Sequence, residues 1–279
     1  MAEPRYASTA VTAPKSRLFY RIRLALLGSV LAVTVLYALN DTWSRRERNA
    51  WKRPLEVAIV VAELEPVGET AMRNLTMRVP VLEERLTSEL HRYRSTPERA
   101  VHLSVFGPVG VDRAPPADPK GSELLELARH TYDLWRWTHA VDQGADLSAR
   151  AYDSRIYLVV RPPRNAGQKW VEGSSEQGGR VGVARVELDA SMSDFALFVV
   201  SHELFHTLGA SDKYGPDGRV LIPSGLAEPD RAPRFPQRAA EIMARNLPLS
   251  PDSERPPDSL AELMVGPSTA REIGWTAGP

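Results

Sequence analysis

The chain has 279 residues, of which 43% are hydrophobic, 25% charged and 7% aromatic, which is the composition of a globular protein. Its 35 basic and 35 acidic side chains cancel, so no overall positive field would attract nucleic acid, and we expect no nucleic-acid partner. The absence of cysteine excludes disulfide scaffolds, cysteine-bound zinc, iron–sulfur clusters and thiol nucleophiles.

A membrane-spanning helix is predicted near the N-terminus. After a short tail at residues 1–23, residues 24–39 form a run of 16 residues without a charged side chain. As an α-helix this run would extend about 24 Å, slightly less than the hydrocarbon core of a bilayer. We interpret it as a signal anchor in the lipid bilayer. A cleaved signal peptide or a buried helix would have a similar length, but no clear cleavage site follows the run.

The basic residues on the two sides of this run are nearly equal in number, so they indicate no clear membrane orientation. Residues 1–23 contain five basic side chains and one acidic one, whereas residues 40–54 contain five basic and two acidic ones. Because a short N-terminal tail ahead of a lone anchor usually stays in the cytoplasm, we expect a single-pass membrane protein. Its main domain would then lie on the non-cytoplasmic side.

Strands and helices alternate after a charged juxtamembrane linker at 40–54, in a predicted domain at 55–279. Short β-branched apolar runs predict strands at 55–62, 100–106, 155–160 and 181–188. Apolar residues at helical spacing predict helices around 82–90, 124–138 and 193–208. Proline- and glycine-containing stretches predict loops at 107–121, 162–180, 214–237 and 247–259. A capping box at 269–272 predicts a last short helix. The order predicts an α/β domain with an irregular C-terminal part.

The most informative segment is HELFHTLGASD, at residues 202–212. His202 and His206 lie one helical turn apart, so both imidazoles can bind one ion, as tetrahedral zinc requires. Glu203 lies about 100° further round the helix, beside a metal-bound water rather than on the metal. Zinc lowers the pKa of such a water to about 7, and a nearby carboxylate can take its proton as the water attacks a carbonyl.

The residues after this helix favour a catalytic site. Gly209 suits a position with positive φ, at which the chain leaves the helix abruptly. That reversal would bring Asp212 to the metal as the third protein ligand and leave the fourth position open to water, as in catalytic zinc sites. HExxH alone also occurs on polar helix faces, so the glycine, the aspartate and the apolar residues at 195–200 are needed for the zinc prediction.

The segment HELFHTLGASDKY resembles the extended HExxHxxGxxD motif of the zincin metalloproteases, in the Asp-liganded form of the snapalysin-like branch. Metzincins, the wider relatives, more often have histidine where Asp212 stands. The resemblance implies that His202, His206 and Asp212 bind Zn2+ and that Glu203 is the general base. It also implies an α/β (α+β) zincin-like fold. In this fold a twisted mixed sheet and the active-site helix form an N-terminal lobe above a small irregular C-terminal lobe.

Two further features of such families have candidates here. They place a methionine-containing turn beneath the metal. Met243 is the favoured candidate because of its distance from the third ligand, and Met264 is the alternative. Either methionine could instead be an ordinary core residue. The tyrosine that metzincins often carry two residues later is replaced by Arg245 or Gly266. Tyr214, placed as in the snapalysin-like motif, is the catalytic candidate for stabilising an oxyanion or for supporting the ligands. The alternative is a packing role.

The remaining observations concern substrate access and the other histidines. The predicted strand at 181–188 precedes the active-site helix where zincins have an edge strand, so an extended substrate could pair with it. It could equally be an internal strand. Surface or core positions are expected for the histidines without ligand spacing, which are His91, His102, His130 and His139.

Together these features predict a membrane-anchored zinc metalloendopeptidase that hydrolyses a peptide or protein substrate. The alternative is a membrane-tethered, catalytically inactive zincin-like binding or scaffold domain, against which the presence of Glu203 argues, since binding alone does not need that carboxylate. An intramembrane metalloprotease is excluded, because residues 40–279 contain no second long apolar run.

Overall fold

A computed structural model describes residues 17–119, 121, 123–164, 171–175 and 177–276, and divides the chain into two units, Met1–Ser44 and Arg45–Pro279. Helix α1 (Arg17–Arg48) extends beyond the predicted span at both ends. Its window Phe19–Leu36 has a mean hydropathy of 1.7 over 18 residues, none of them buried, and is long and apolar enough to cross a membrane. A signal sequence would meet the same criteria. Most of the predicted tail lies outside the described residues.

The second unit is a mixed α/β structure built on a five-stranded sheet with the order β2–β1–β3–β5–β4. Its strands are β1 (Leu55–Glu63), β2 (Val101–Gly110), β3 (Ser154–Arg161), β4 (Val171–Ser175) and β5 (Val181–Glu187). The first four in this order run parallel, and β4 pairs antiparallel with β5. Helices cover both faces of the parallel strands, which explains why β1 and β3 are almost continuously apolar.

Helices α2 (Glu69–His91) and α4 (Ser193–Thr207) pack on one face of the sheet, and α3 (Leu124–Gly144) packs on the other. The leucine stripe of α2 is buried as its spacing predicts, although the helix begins well before the stripe. Helix α4 has buried residues on every side, so it is the central helix of this unit. Its C-terminal end carries the HExxH segment.

The structure shows which strand forms the edge of the sheet. The strand predicted at 181–188 is β5, which lies between β3 and β4 and is therefore internal. The edge strand is β4, which falls inside the stretch predicted as a loop at 162–180. Its sequence, VEGSS, has no alternating apolar pattern, so pairing with β5 rather than local propensity makes it a strand.

The C-terminal part is irregular, as predicted, but it is tied to the main core. Its short strands are β6 (Ala240–Glu241), β7 (Leu247–Ser250), β8 (Ser253–Arg255) and β9 (Leu263–Met264). The β6 strand pairs with β9, and β7 pairs with β8. The last helix, α5 (Pro267–Glu272), begins two residues before the predicted capping box, and Gly274 follows it with a φ of +78°. Buried residues between positions 240 and 275 belong to the same core as α2 and α4.

Residues that follow Ser44 pack within the second unit. Arg48 is 3% exposed, and its guanidinium donates hydrogen bonds to the carbonyl oxygens of Gly178, Gly179 and Thr207, at 3.0, 3.0 and 3.4 Å. Because the last carbonyls of a helix lack partners within it, this cation stabilises the C-terminal end of α4. Trp51 is 1% exposed and donates to the carbonyl of Ile273. Residues 45–54, which fall in the predicted linker, therefore contribute directly to the packing of this unit.

Candidate metal centre and active site

The C-terminal end of α4 holds the side chains of the HExxH segment close together. His202 and Glu203 are buried, at 6% and 2% exposure. The helix ends at Thr207, and Gly209 has a φ of +100°, as its position in the sequence predicts. This left-handed residue turns the chain back, so that the loop after it brings Asp212 beside the two imidazoles.

Three donor atoms form a nearly equilateral triangle. The Nε2 atoms of His202 and His206 are 3.1 Å apart, and Oδ1 of Asp212 lies 3.3 and 3.2 Å from them, respectively. Ligands bound to tetrahedral zinc at about 2.0–2.1 Å would be about 3.3–3.4 Å from each other. The spacing of the three atoms therefore fits one face of a zinc coordination tetrahedron.

The other ring nitrogens fix the tautomers that metal binding needs. Nδ1 of His202 lies 2.8 Å from the carbonyl oxygen of Ile242, and Nδ1 of His206 lies 2.9 Å from that of Ala210. A carbonyl oxygen only accepts hydrogen bonds, so both Nδ1 atoms carry a proton. The lone pair of each neutral imidazole is then on Nε2, which points into the triangle.

The electrostatics of the triangle favour a cation. In the metal-free site, burial alone would raise the pKa of Asp212, but imidazoles that also carry a proton on Nε2 donate hydrogen bonds to its carboxylate and hold its pKa well below the usual range. Burial alone would lower the pKa of His206, but Asp212 and Glu203 outweigh it and the pKa of this imidazole is raised. One carboxylate thus stays ionised between two imidazoles, and the site stabilises added positive charge.

Glu203 lies beside the triangle rather than at one of its corners. His202, Glu203 and His206 offer ligand atoms that lie within 4.8 Å of one another, a looser set than the triangle that includes Asp212. Asp212 is therefore the better third ligand on distance. The Glu203 carboxylate instead lies against the backbone of Gly173 in the edge strand β4.

No protein-family model and no curated protein matches the chain. Among solved structures, the crystal structure of archaemetzincin from Methanopyrus kandleri is similar, with 18% identity and a TM-score of 0.32 over 59% of this chain and 78% of that chain. A TM-score this low does not establish a shared fold. The function proposed below therefore depends on the geometry of this chain's own residues.

Tyr214 lies beside the site, as its position after Asp212 predicts. Its ring stacks on the ring of His202, with centroids 6.3 Å apart and planes inclined by 26°. Burial and the neighbouring Asp212 carboxylate raise the pKa of Tyr214 to about 12. The hydroxyl is therefore protonated at neutral pH and is able to donate a hydrogen bond. Cζ of Arg245 lies 5.1 Å from the centroid of the same ring.

The structure distinguishes the two methionine candidates. Met243 is fully buried in the short 3-10 turn at Ile242–Ala244, the same turn whose first carbonyl contacts Nδ1 of His202. The carbonyl of Met243 also accepts a hydrogen bond from the backbone N–H of Lys213. Met264 instead lies in β9 and is only partly buried. The turn beside the histidines is thus the one that contains Met243.

Sequence reasoning missed Gly173. This glycine stands in a stretch that reads as a loop, and its closeness to Glu203 arises only because β4 pairs with β5 next to α4. No pattern in the residues around Gly173 predicts this contact. His91, His102, His130 and His139 are not part of the His202–Glu203–His206 cluster.

Proposed function

We propose that this protein is a zincin-type zinc metallopeptidase, with His202, His206 and Asp212 as the metal ligands and Glu203 as the general base. The observation that carries the proposal is the triangle of donor atoms, 3.1–3.3 Å on each side, with both Nδ1 atoms held by backbone carbonyls. The HExxHxxGxxD spacing supports the same assignment.

The chain's own residues would share the work of peptide hydrolysis. Zinc, when bound, would supply Lewis acidity to polarise the scissile carbonyl and to make water more acidic. Glu203 would accept the proton of the attacking water on a carboxylate oxygen and pass it to the leaving amine. Tyr214, which is protonated at neutral pH, would donate its hydroxyl proton in a hydrogen bond to the developing oxyanion.

The edge strand β4 supports a peptide as the substrate. Among the described residues, β4 has a strand partner on one side only. An extended peptide that added to its other side would form main-chain hydrogen bonds without regard to side-chain identity. It would also pass beside Gly173, and therefore beside Glu203. This assigns to β4 the role first expected for the strand at 181–188.

Membrane attachment is part of the proposal. The apolar window of α1 would anchor the chain in a bilayer as a single span, with the second unit on the non-cytoplasmic side. If the window were instead a cleaved signal sequence, the mature protein isolated from its host would begin after residue 39 and would wash off membranes with carbonate. Retention of the intact N-terminus in the carbonate-resistant fraction is the expected result.

The decisive experiment uses the full chain purified in detergent. We expect about one zinc ion per chain by elemental analysis, lost in His202→Ala and kept in His139→Ala, which replaces an exposed histidine of α3 as the matched control. Hydrolysis of a peptide mixture should be lost in Glu203→Gln while its zinc remains. Zinc without hydrolysis would favour the inactive binding or scaffold domain. A folded chain that takes up no zinc would overturn the proposal.

A further inference from the structure

One carboxylate at the C-terminal end of the fold contacts the residues on both sides of Asp212. Glu272, the last residue of α5, accepts hydrogen bonds from Ser211 through its backbone N–H, at 2.9 Å, and through its hydroxyl, at 3.1 Å. It also accepts from Nζ of Lys213, at 2.7 and 2.8 Å. Ser211 and Lys213 are the immediate neighbours of the third proposed ligand.

Lys213 is held at several points. Its side chain is only 4% exposed, and besides Glu272 its ammonium donates to the carbonyl and the hydroxyl of Ser211, at 3.0 and 2.7 Å. Its backbone N–H donates to the carbonyl of Met243, at 2.9 Å. A buried ammonium is costly unless it is paired, so this arrangement strongly favours one position of the loop.

The Asp212 side chain is less enclosed than those of the two histidines. It is 41% exposed and stands in a loop without regular secondary structure, unlike the two histidines on their buried helix. The placement of the backbone at residues 211–213 therefore helps to bring its Oδ1 to 3.2–3.3 Å from the imidazole nitrogens.

We infer that Glu272 is a positioning residue for the metal centre, which acts through Ser211 and Lys213 to hold Asp212 in place. The inference rests on the proposed function, because it assumes that Asp212 is a ligand. Helix α5 would then belong to the metal site although it supplies no ligand. Removal of this support should weaken metal binding and alter the geometry around the metal.

The position of α5 itself does not depend on Glu272 alone. Trp275, just after this helix, is 2% exposed and packs edge-to-face on Trp51 and Phe205, with ring centroids 5.6 and 5.7 Å away. A substitution at residue 272 should therefore leave the helix docked while it releases the loop.

The test measures metal binding by the full chain, with Zn2+ competed against a chromophoric chelator and with Co2+ followed by its visible spectrum. We expect Glu272→Gln to weaken Zn2+ binding about 10- to 100-fold and to change the Co2+ bands. Glu272→Asp should recover part of the affinity, and Ser211→Ala, which removes only the hydroxyl contact, should have a smaller effect. Glu262→Gln is the matched control, since Glu262 pairs with Arg255 rather than with the loop.

The outcomes separate the inference from the proposed function. If the unaltered chain binds no metal, the proposed function fails. If it binds zinc, and Glu272→Gln binds zinc equally well with the same Co2+ spectrum, the positioning role is wrong. If Glu272→Gln does not fold, Ser211→Ala and Glu272→Asp decide. Weaker binding by both supports the role, and unchanged binding by both overturns it.

Discussion

The carboxylate of Glu203 and the backbone of Gly173 lie in such close contact that no side chain fits between them. A Cβ atom at residue 173 would stand 1.7 Å from Oε1 and 2.7 Å from the carboxyl carbon of Glu203. Atoms do not approach so closely, so any other residue at 173 would displace the proposed general base or the edge strand. The glycine thus sets the position of the proposed general base relative to the edge strand.

Gly173→Ala should therefore lower kcat/KM about 100-fold or more, because a displacement of about 1 Å is enough to cost that factor. Its zinc content should stay at the level of the unaltered chain, since Glu203 is not a proposed ligand. The matched control is Gly110→Ala at the end of β2, where nothing lies within 4 Å of the added Cβ atom. Full activity of Gly173→Ala would contradict the assignment of Glu203.

Tyr214→Phe tests the hydroxyl beside the metal site. Loss of one donor to an oxyanion typically lowers kcat about 100-fold, and we expect an effect of this size with little change in zinc affinity. Stacking of the ring on His202 is retained in the variant, so the comparison isolates the hydroxyl. If zinc binding weakens instead and kcat at saturating zinc is unchanged, Tyr214 supports Asp212 rather than the reaction.

The contact between Asp212 and His206 links metal binding to pH. The pKa of His206 is raised above its ordinary value of 6.5, and a protonated imidazole cannot bind a metal. Zinc affinity should therefore increase with pH until this pKa is passed. In Asp212→Asn the affinity should fall overall, and the pH at which it levels off should move down. Competition titrations from pH 5.5 to 8.5 measure both effects, with Asp217→Asn as a control in the following loop.

The same pair sets the sign of the pH dependence of stability in the metal-free protein. The raised pKa of His206 contributes stability that is complete below about pH 6.5 and is lost as the pH rises through the folded-state value. The lowered pKa of Asp212 contributes stability above about pH 4 and loses it only in strong acid. Denaturant unfolding with a chelator present should show a decrease between pH 6 and pH 8 that is smaller in Asp212→Asn. An equal decrease in both proteins would contradict this origin.

Arg48→Met should destabilise the second unit. The substitution leaves the carbonyls of Gly178, Gly179 and Thr207 without this donor, and we expect a loss of about 3 kcal/mol in the free energy of unfolding. Arg46→Met, two residues earlier at an exposed position, should change it by less than about 0.5 kcal/mol. Equal effects of the two substitutions, measured by denaturant unfolding, would show that Arg48 does not stabilise this unit.

The parts of this protein that could be predicted from sequence are those that local spacing determines. The i, i+4 histidines, the helix that carries them and the positive φ of Gly209 follow from residues within one short segment. The strands rich in β-branched residues can likewise be predicted, because each is a run of apolar side chains.

The rest depends on partners far away in the chain. Strand β4 exists because β5 pairs with it, so its sequence VEGSS carries no signal, and the same fact makes the strand at 181–188 internal. The segment at 45–54 looks like a charged linker because it contains several arginines, but the carbonyls of Gly178, Gly179 and Thr207 that accept from Arg48 lie 130 to 159 residues later. Contacts between residues so far apart in the chain produce no periodic pattern in the local sequence, so they could not be predicted from it.

The burial of Arg48 and Trp51 also decides where the proposed enzyme could be shed from a membrane. Lys52 is an exposed basic residue of the kind that trypsin-like enzymes cut, yet a cut after it would separate both buried side chains from the rest of the unit. The released fragment would lack the cation at the end of its active-site helix and an aromatic ring beneath α5. A long-lived soluble form would therefore have to begin before Arg48, and a cut at Lys52 would act as inactivation rather than release.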